Sequence, residues 1–314
     1  MKKVIFYLDP EWALGSIHYE LVKYFFLNGI NAFLMGWSRH YEYTVDEIKE
    51  LDDDTDYFIT TPNGYRGLRA TFNIFPTKIV VVAHSMSDLR ELLDSTGIAE
   101  CQLFKEFAVV TPFLRDEAIK MGFLRTPKVC RLGVNTNSYI SPLPTELKTI
   151  GYAGTFINRK LEQDFAKDPG FIGQPAYYKR SYLAEEVAAI SGLEFKVAQR
   201  YHRTFMTMPS FYKKIDATIM CSSQEGAGLP IIESSAAGRL VFACPSGMAL
   251  DLRGTLAVDH VPLQEDLFLD IVPRLISHYK ANPDKFRKRC AEVKDYAQCF
   301  DWKHRVDDWI NLIL

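Results

Sequence analysis

The sequence predicts an α/β protein built from two doubly wound, Rossmann-like domains. Short apolar runs alternate with amphipathic stretches along most of the chain, which is the pattern of parallel strands joined by helices. The alternation breaks once, at "NTNSYISPLPTELK" (residues 135–148), where Pro142, Pro144 and several turn-forming residues predict a linker. A length of 314 residues fits two domains of similar size.

The first domain is predicted to span residues 1–145. Its strands are the apolar runs at residues 3–8, 31–36, 57–61, 79–84, 107–111 and 129–132. Helical patterns such as "SIHYELVKYFFLNG" and "PFLRDEAIKMG" lie between them. The second of these has Pro112 near its start and Gly122 past its end, as helices commonly do.

The second domain is predicted to span residues 146–299. A strand in "KTIGYAG" opens it, and the helix "YYKRSYLAEEVAAISG" and the strands "LEFKVA", "DATIMCS" and "RLVFAC" follow. The tail from residue 264 onwards has a helical pattern, and a terminal helix at about residues 300–314 is expected to pack back on the first domain. Ligands bind at the carboxyl ends of strands in such sheets, so a cleft between two facing domains is the expected site.

Composition narrows the function classes. Hydrophobic residues make up 47% of the chain and charged residues 24%, so it can form a packed core. A net charge of −2 gives no general attraction to nucleic acid or to an anionic membrane. The six cysteines show neither CxxC nor Cys/His ligand spacing, and no signal peptide or apolar run of roughly 20 residues is visible. We therefore expect a cytoplasmic protein.

The segment "SQEGAGLPIIESSAAGRLV" (residues 223–241) carries two glutamates, Glu225 and Glu233, with two glycines and a proline between them. It follows an apolar strand pattern, so it is predicted to form a glycine-rich loop and then a short helix. Gly226 and Gly228 allow a tight turn with exposed N–H groups, and the helix N-terminus favours an anion such as a diphosphate. A carboxylate at the loop entrance can accept sugar hydroxyls, and one in the helix can reach a ribose.

A simpler interpretation is that Glu225 caps a turn and that Glu233 is favoured by the helix dipole. This interpretation would account for either glutamate considered alone. It does not explain why both glycines and the proline fall between the two carboxylates.

The string "SSQEGAGLPIIESSAAGRLVFA" resembles the signature of the family 4 retaining glycosyltransferases, which have the GT-B fold of two Rossmann-like domains facing across a cleft. The resemblance covers most of the chain. "KIVVVAHS" is similar to the strand that ends in the family's active-site histidine, and "FAVVTPFLRDEAIKMGF" is similar to the last strand and helix before the linker. "LGVNT" stands where the family usually has asparagine-glycine-valine-aspartate.

This resemblance implies roles for individual residues. His84 and Glu225 would be catalytic, with His84 lining the centre against the sugar and Glu225 holding hydroxyls of the donor sugar. Glu233 would bind the ribose of the nucleotide. The residues expected at the donor sugar and phosphates are Gly15, Arg159, Lys179, Gly226, Ala227, Gly228 and Leu229. Lys160 is an alternative to Arg159, because "TFINRKLEQDFAKDPGFIGQPA" is longer than the family pattern leads us to expect.

The implied function is retaining transfer of a sugar from a nucleotide diphosphate sugar to an acceptor hydroxyl, with no cofactor and no metal. The acceptor could be a glycan, a lipid-linked molecule with contact to a membrane surface, or another hydroxyl compound. Three alternatives remain open: a nucleotide-sugar epimerase of the same fold, a silent binding subunit, and a transferase acting on a modified nucleic-acid base. The near-neutral charge disfavours nucleic acid.

Other features are interpreted as structural. The aspartates of "LDDDTDYF" are expected in a solvated loop rather than at a metal, and "KFRKRC" is expected on a solvated helix face. His18 is expected on a helix surface. Five aromatic residues of the first domain fit either sugar or base stacking or packing: Trp12, Trp37, Tyr41, Tyr43 and Tyr65.

Overall fold

The computed structural model describes residues 2–8, 12–36, 44–167, 175–198 and 205–314. The chain forms two compact units, each with its own parallel sheet. The first unit contains Met1–Gly133 and Trp302–Leu314, and the second unit contains Val134–Asp301. Among the described residues, no helix has both the length and the apolar character needed to cross a bilayer.

The sheet of the first unit has six strands in the order β2-β1-β3-β4-β5-β6, and every pairing in it is parallel. These strands are β1 (Lys3–Leu8), β2 (Asn31–Gly36), β3 (Tyr57–Thr60), β4 (Ile79–Ala83), β5 (Glu106–Val109) and β6 (Lys128–Val129). Each strand overlaps an apolar run that predicted it, although β6 shares only Val129 with the predicted run at residues 129–132. Strand β4 is apolar and buried throughout, as expected for a strand covered on both faces.

The sheet of the second unit has five parallel strands in the order β11-β10-β9-β7-β8. They are β7 (Thr149–Ala153), β8 (Glu194–Ala198), β9 (Ala217–Met220), β10 (Leu240–Ala243) and β11 (Asp259–His260). Strand β11 was not expected, since two residues are too few to show a periodic pattern.

Helices connect the strands and cover the sheets. They are α1 (Trp12–Leu27), α2 (Val45–Asp53), α3 (Pro62–Arg66), α4 (Met86–Glu91), α5 (Ile98–Cys101), α6 (Pro112–Lys120), α7 (Arg159–Phe165), α8 (Pro175–Lys179), α9 (Tyr182–Ser191), α10 (Met208–Tyr212), α11 (Leu229–Ala236), α12 (Met248–Asp251), α13 (Glu265–Ala281), α14 (Pro283–Tyr296) and α15 (Val306–Ile310). Two π-helical turns, Gly67–Thr71 and Leu92–Thr96, extend α3 and α4.

Residues 134–145, called here the linker segment, lie in the second unit rather than at the end of the first domain, where the sequence placed them. Hydrogen bonds explain the difference. Val134 pairs with Asp301, and the Thr136 hydroxyl donates to the same aspartate at 2.6 Å. The Ser141 hydroxyl donates to the Ala237 carbonyl at 3.0 Å.

Arg239 is the main anchor of the linker segment. It is only 3% exposed, and burial lowers the pKa of its guanidinium. Its nitrogens donate to the Tyr212 carbonyl at 2.8 Å, the Pro142 carbonyl at 2.9 Å and the Ser141 hydroxyl at 3.0 Å. These bonds satisfy a buried charge that would otherwise be costly, so they fix the linker segment against the start of β10.

The terminal residues complete the first unit. The indole of the buried Trp309 donates to the Arg131 carbonyl at 3.0 Å, and the Lys2 ammonium donates to the Ile313 carbonyl at 2.5 Å. Trp302 packs so closely on Gly133 that a Cβ there would lie 2.6 Å from the indole ring. The last thirteen residues therefore pack on β6 and on the segment that follows it.

We predict that Arg239→Met destabilises the protein, because methionine keeps the length of the side chain but leaves three buried acceptors without a donor. The expected loss is about 1–3 kcal/mol for each unpaired group. Urea denaturation would measure it. Arg274→Met is the matched control, since the Arg274 side chain is 77% exposed and, among the described residues, pairs only with Asp270 of its own helix. Equal unfolding midpoints for the two variants would contradict the anchoring role.

Candidate functional site

The glycine-rich loop lies where the sequence predicted it, between the carboxyl end of β9 and the start of α11. Gly228 has φ +71° at the residue preceding the helix, a backbone conformation that side chains disfavour. No described residue accepts a hydrogen bond from the backbone N–H of Ala227, Gly228 or Leu229. Three free N–H groups at a helix N-terminus form a site suited to an anion.

Glu225 and Lys179 meet at this loop. The ammonium of Lys179, the last residue of α8, forms an ion pair with Glu225 Oε1. The same oxygen accepts a hydrogen bond of 2.7 Å from the Ser222 hydroxyl. The Glu225 side chain is 11% exposed and that of Lys179 is 29% exposed. Two of the predicted donor-site residues, 46 positions apart, thus lie in direct contact.

The backbone after α8 holds Lys179 in place. Arg180 adopts φ +46°, and its guanidinium donates to the Cys221 carbonyl at 2.8 Å and to the Leu263 carbonyl at 2.6 Å. The Ser223 N–H donates to the Tyr178 carbonyl at 2.8 Å. These hydrogen bonds therefore hold both Lys179 and Glu225 at the carboxyl edge of the second sheet.

Gly247 is a residue of this site that sequence analysis missed. A Cβ on Gly247 would lie 2.6 Å from the Glu225 carbonyl oxygen and 2.8 Å from that of Gly226, and its φ is +51°. Only glycine fits there without moving the loop. The signal in the sequence is "CPSGM", a turn directly after the apolar run of β10.

Glu233 is buried and already has two partners. Its exposure is 6%, and its carboxylate oxygens accept hydrogen bonds from the Tyr139 hydroxyl at 2.8 Å and the Tyr212 hydroxyl at 3.0 Å. Burial raises the pKa of Glu233 to about 7, and the two tyrosine hydrogen bonds oppose that rise. Its ribose-binding role stays a prediction: each carboxylate oxygen already accepts one hydrogen bond from a tyrosine, so a ribose hydroxyl would have to use a remaining lone pair or displace a tyrosine hydroxyl.

Arg159 does not lie free for a phosphate. Its guanidinium binds Glu186 through two hydrogen bonds of 2.7 Å, pairs with Glu265 at 2.5 Å and lies 3.9 Å from the centre of the Tyr182 ring. The hydrogen bonds to Glu186 are the main cause that raises its pKa. Lys160, the alternative, is exposed. The sequence could not show these partners, because 27 positions separate Arg159 from Glu186.

His84 directly follows β4 at the carboxyl edge of the first sheet. Its backbone N–H donates to Asp88 at 2.6 Å, which fixes the turn into α4. Its ring lies 5.7 Å from the ring of His18 and 6.3 Å from that of Trp309. Both ring nitrogens are buried, and neither bonds to a described residue. Burial, and then His18, lower the pKa of His84 to about 3, so the imidazole is neutral at pH 7.

The first helix contains two residues whose positions were predicted. Gly15, which the resemblance places at the donor sugar and phosphates, lies within α1 and is buried. His18 is 1% exposed rather than on the helix surface, and its Nδ1 donates to the Leu14 carbonyl at 2.8 Å. Burial lowers the pKa of His18 to about 4. A signal existed: His18 falls beside the buried stripe of Ile17 and Leu21.

Tyr65 is 2% exposed and donates to Glu100, so it packs in the core. Trp37, Tyr41, Tyr43 and the Trp12 side chain lie outside the described residues. Asp52 lies in α2 and accepts a hydrogen bond of 2.6 Å from Lys78. Within the described part of the chain, no group of three or more His, Cys, Asp or Glu residues is arranged to hold a metal.

Comparison with known proteins places this architecture. No family model matches the chain, and no curated protein matches it. Several solved structures, however, are similar to the chain. Sucrose-phosphate synthase from Thermosynechococcus elongatus aligns with a TM-score of 0.65 at 14% identity, covering 99% of this chain and 98% of that one.

HepE of Anabaena in complex with UDP aligns with a TM-score of 0.64 at 13% identity and covers 99% of both chains. The catalytic domain of starch synthase IV from Arabidopsis thaliana, bound to ADP and acarbose, aligns with a TM-score of 0.64 at 12% identity, covering 99% and 98%. At these identities the likeness establishes the fold. The chain has the GT-B fold of two doubly wound α/β units, which confirms the predicted fold class.

The raised pKa of Glu233 predicts how stability depends on pH. Between its ordinary value of 4.5 and about 7 the unfolded chain loses this proton and the folded protein keeps it, so rising pH destabilises the fold. The full cost above pH 7 is on the order of 3 kcal/mol. Glu233→Gln removes that cost, so its stability relative to the native protein should increase from pH 5 to pH 8. Urea denaturation at both pH values measures the difference.

Tyr212→Phe gives a second test of the same prediction. It removes a hydrogen bond that favours the ionised carboxylate, so the pH-dependent loss of stability should extend to higher pH. A stability difference between Glu233→Gln and the native protein that is the same at pH 5 and pH 8 would show that Glu233 does not titrate in this way.

Proposed function

We propose that this chain is a retaining glycosyltransferase of the family 4 type, which transfers a sugar from a nucleotide diphosphate sugar to an acceptor hydroxyl. The contact between Lys179 and Glu225 beside the free N–H groups of the glycine-rich loop is the observation that carries the proposal. The fold supports it, because the similar structures include HepE with UDP and a starch synthase with ADP.

The chemistry follows from an exchange of partners. Without a donor, Glu225 neutralises Lys179. A diphosphate at the start of α11 would accept hydrogen bonds from Ala227, Gly228 and Leu229 and would attract the Lys179 ammonium. Glu225, released from its ion pair, would then accept hydrogen bonds from hydroxyls of the donor sugar. Binding of the donor thus prepares both charges for their roles.

The transfer step requires stabilisation of the leaving group. When the bond between the sugar carbon and the phosphate oxygen breaks, its electron pair passes to the diphosphate, whose charge Lys179 and the loop N–H groups stabilise. The acceptor oxygen attacks the same face of the oxocarbenium-like sugar, and its proton passes to the leaving phosphate oxygen. This route needs no protein nucleophile, and we assign none. It also assigns no resident metal or cofactor.

His84 is proposed to act in its neutral form. Its lowered pKa leaves one ring nitrogen as a donor and the other as an acceptor, and neither bonds to a described residue. Such an imidazole can hydrogen-bond a hydroxyl of the reacting sugar without adding a positive charge beside an oxocarbenium ion. Lys179 is preferred over Arg159 as the phosphate ligand, since two carboxylates already neutralise Arg159.

The ribose role of Glu233 and the diphosphate contact of Gly15 are retained as parts of the proposal. We also propose a cytoplasmic location.

Lys179→Met and Glu225→Gln should affect UDP binding in opposite directions. Loss of the Lys179 charge removes a charge-assisted bond of roughly 1.5–3 kcal/mol, so UDP affinity should fall about 10- to 100-fold. Glu225→Gln frees Lys179 and removes a repulsive carboxylate, so UDP should bind at least as tightly while turnover falls. Calorimetric titration with UDP in EDTA, together with UDP release from a UDP-sugar, measures both.

Lys148→Met is the matched control, because Lys148 forms an exposed ion pair with Glu146 in the same unit. It should leave UDP affinity unchanged. If Lys179→Met binds UDP as the native protein does, the proposed phosphate site is wrong. Conversion of the donor sugar into its epimer without an acceptor would instead identify an isomerase.

His84→Ala should lower turnover by a hundredfold or more while leaving UDP affinity nearly unchanged, since every proposed nucleotide contact except Gly15 lies in the second unit. UDP release and calorimetric titration on the same samples separate the two effects. His278→Ala, at an exposed histidine of α13, is the control. Full turnover in the His84 variant would remove that residue from the mechanism and leave the fold assignment intact.

A further inference from the structure

A pocket of about 370 Å³ opens in the first unit, at the carboxyl edge of its sheet. Tyr7 belongs to β1, and the other lining residues belong to α3 and to the π-helical turn that follows it. Both β1 and the strand before α3 end at the same edge as β4, which precedes His84. The lining residues are Tyr7, Asn63, Gly64, Arg66, Gly67 and Thr71. A volume of this size is typical of small-molecule sites.

The charge of the pocket is balanced. Arg66 is the only ionic residue among those that line it, and its guanidinium pairs with Glu91 at 2.8 Å. The same nitrogen donates to the Asn63 side-chain oxygen at 2.9 Å. An anionic ligand would have to compete with Glu91 for the guanidinium, whereas a neutral ligand would leave this pair intact.

The pocket also offers unused polar groups. Among the described residues, none bonds to the amide nitrogen of Asn63 or to the hydroxyl of Thr71, and both residues are exposed. Tyr7 adds an aromatic side chain that is 6% exposed. Neutral donors and acceptors beside an aromatic ring are the groups that bind the hydroxyls and the apolar face of a sugar ring.

The two helices that meet here share an unusual form. Arg66 ends α3 and Glu91 ends α4, and a π-helical turn follows each of them. Such turns are rare and occur frequently at functional sites. The ion pair between Arg66 and Glu91 therefore joins two widened helix ends at the pocket wall.

We propose that this pocket binds a neutral sugar unit of the acceptor, so that the acceptor is a glycan rather than a phosphate-bearing lipid headgroup or a nucleic acid. The proposal rests on the proposed function, because it interprets the pocket as the place of the second substrate. Asn63, Arg66 and Thr71 would hold the sugar hydroxyls beside the Tyr7 side chain.

Saturation-transfer NMR on the full chain tests the proposal, with maltose and methyl α-glucoside as neutral probes and glucose 6-phosphate as the anionic probe. Gly67→Leu and Thr71→Phe each fill the pocket from a different position. Gly67 has an ordinary helical φ, and a Cβ there would lie 3.3 Å from the Tyr7 hydroxyl, so a leucine adds volume beside Tyr7 at the cost of a small shift of that side chain. Ala70→Leu is the matched control, since Ala70 is exposed in the same turn but does not line the pocket.

The maltose signal should fall at least fivefold in Gly67→Leu and in Thr71→Phe and should persist in Ala70→Leu. Equal maltose signals in all variants, or glucose 6-phosphate binding that exceeds maltose and is lost in Arg66→Gln, would overturn the proposal. UDP titration of the same samples separates the two hypotheses. Maltose binding that depends on the pocket, in a protein that does not bind UDP, would support the sugar site and contradict the transferase. UDP binding in a protein that does not bind maltose would support the transferase and contradict the sugar site.

Discussion

The buried guanidinium of Arg239 is the constraint on which the second unit depends. It donates to two carbonyls and one hydroxyl that come from α10 and from the linker segment. Gly238 lies just before it, where a Cβ would come within 2.5 Å of Leu143. One polar group thus fixes the start of β10, the end of α10 and the chain that enters the unit.

Because of these bonds, the two ends of α11 differ in their hydrogen bonding. At its carboxyl end, Ala237 and Arg239 form hydrogen bonds with the linker segment. The buried Glu233 within the helix accepts a further hydrogen bond from Tyr139 of the same segment. At its amino end, three N–H groups remain without a described partner beside Glu225. The rigid attachment of one end holds the other in position, so an anion meets donors that are already oriented and little entropy is lost on binding.

The sequence predicted the fold and the position of the loop, because alternating apolar runs and glycine spacing are local patterns. It also pointed to both residues of the ion pair between Lys179 and Glu225 through a family resemblance. The sequence did not show contacts between residues that are distant in the chain. The two tyrosines that donate hydrogen bonds to Glu233, for example, lie 94 and 21 positions away from it. Helix α2 was not predicted, although the sequence contains its signal, the capping box formed by Thr44 and Glu47.

The first unit contains both the beginning of the described chain and its last thirteen residues, with the whole second unit between them. During synthesis, the second unit is a continuous segment that can fold before the first unit is finished. The first unit cannot be completed before Trp302 and Trp309 have been synthesised, because Trp302 packs on Gly133 and Trp309 donates to the Arg131 carbonyl, 178 positions earlier. The ring of Trp309 is also a neighbour of His84. The surroundings of that imidazole are therefore completed only after Trp309 has been synthesised, so a nascent chain that has not reached Trp309 lacks them.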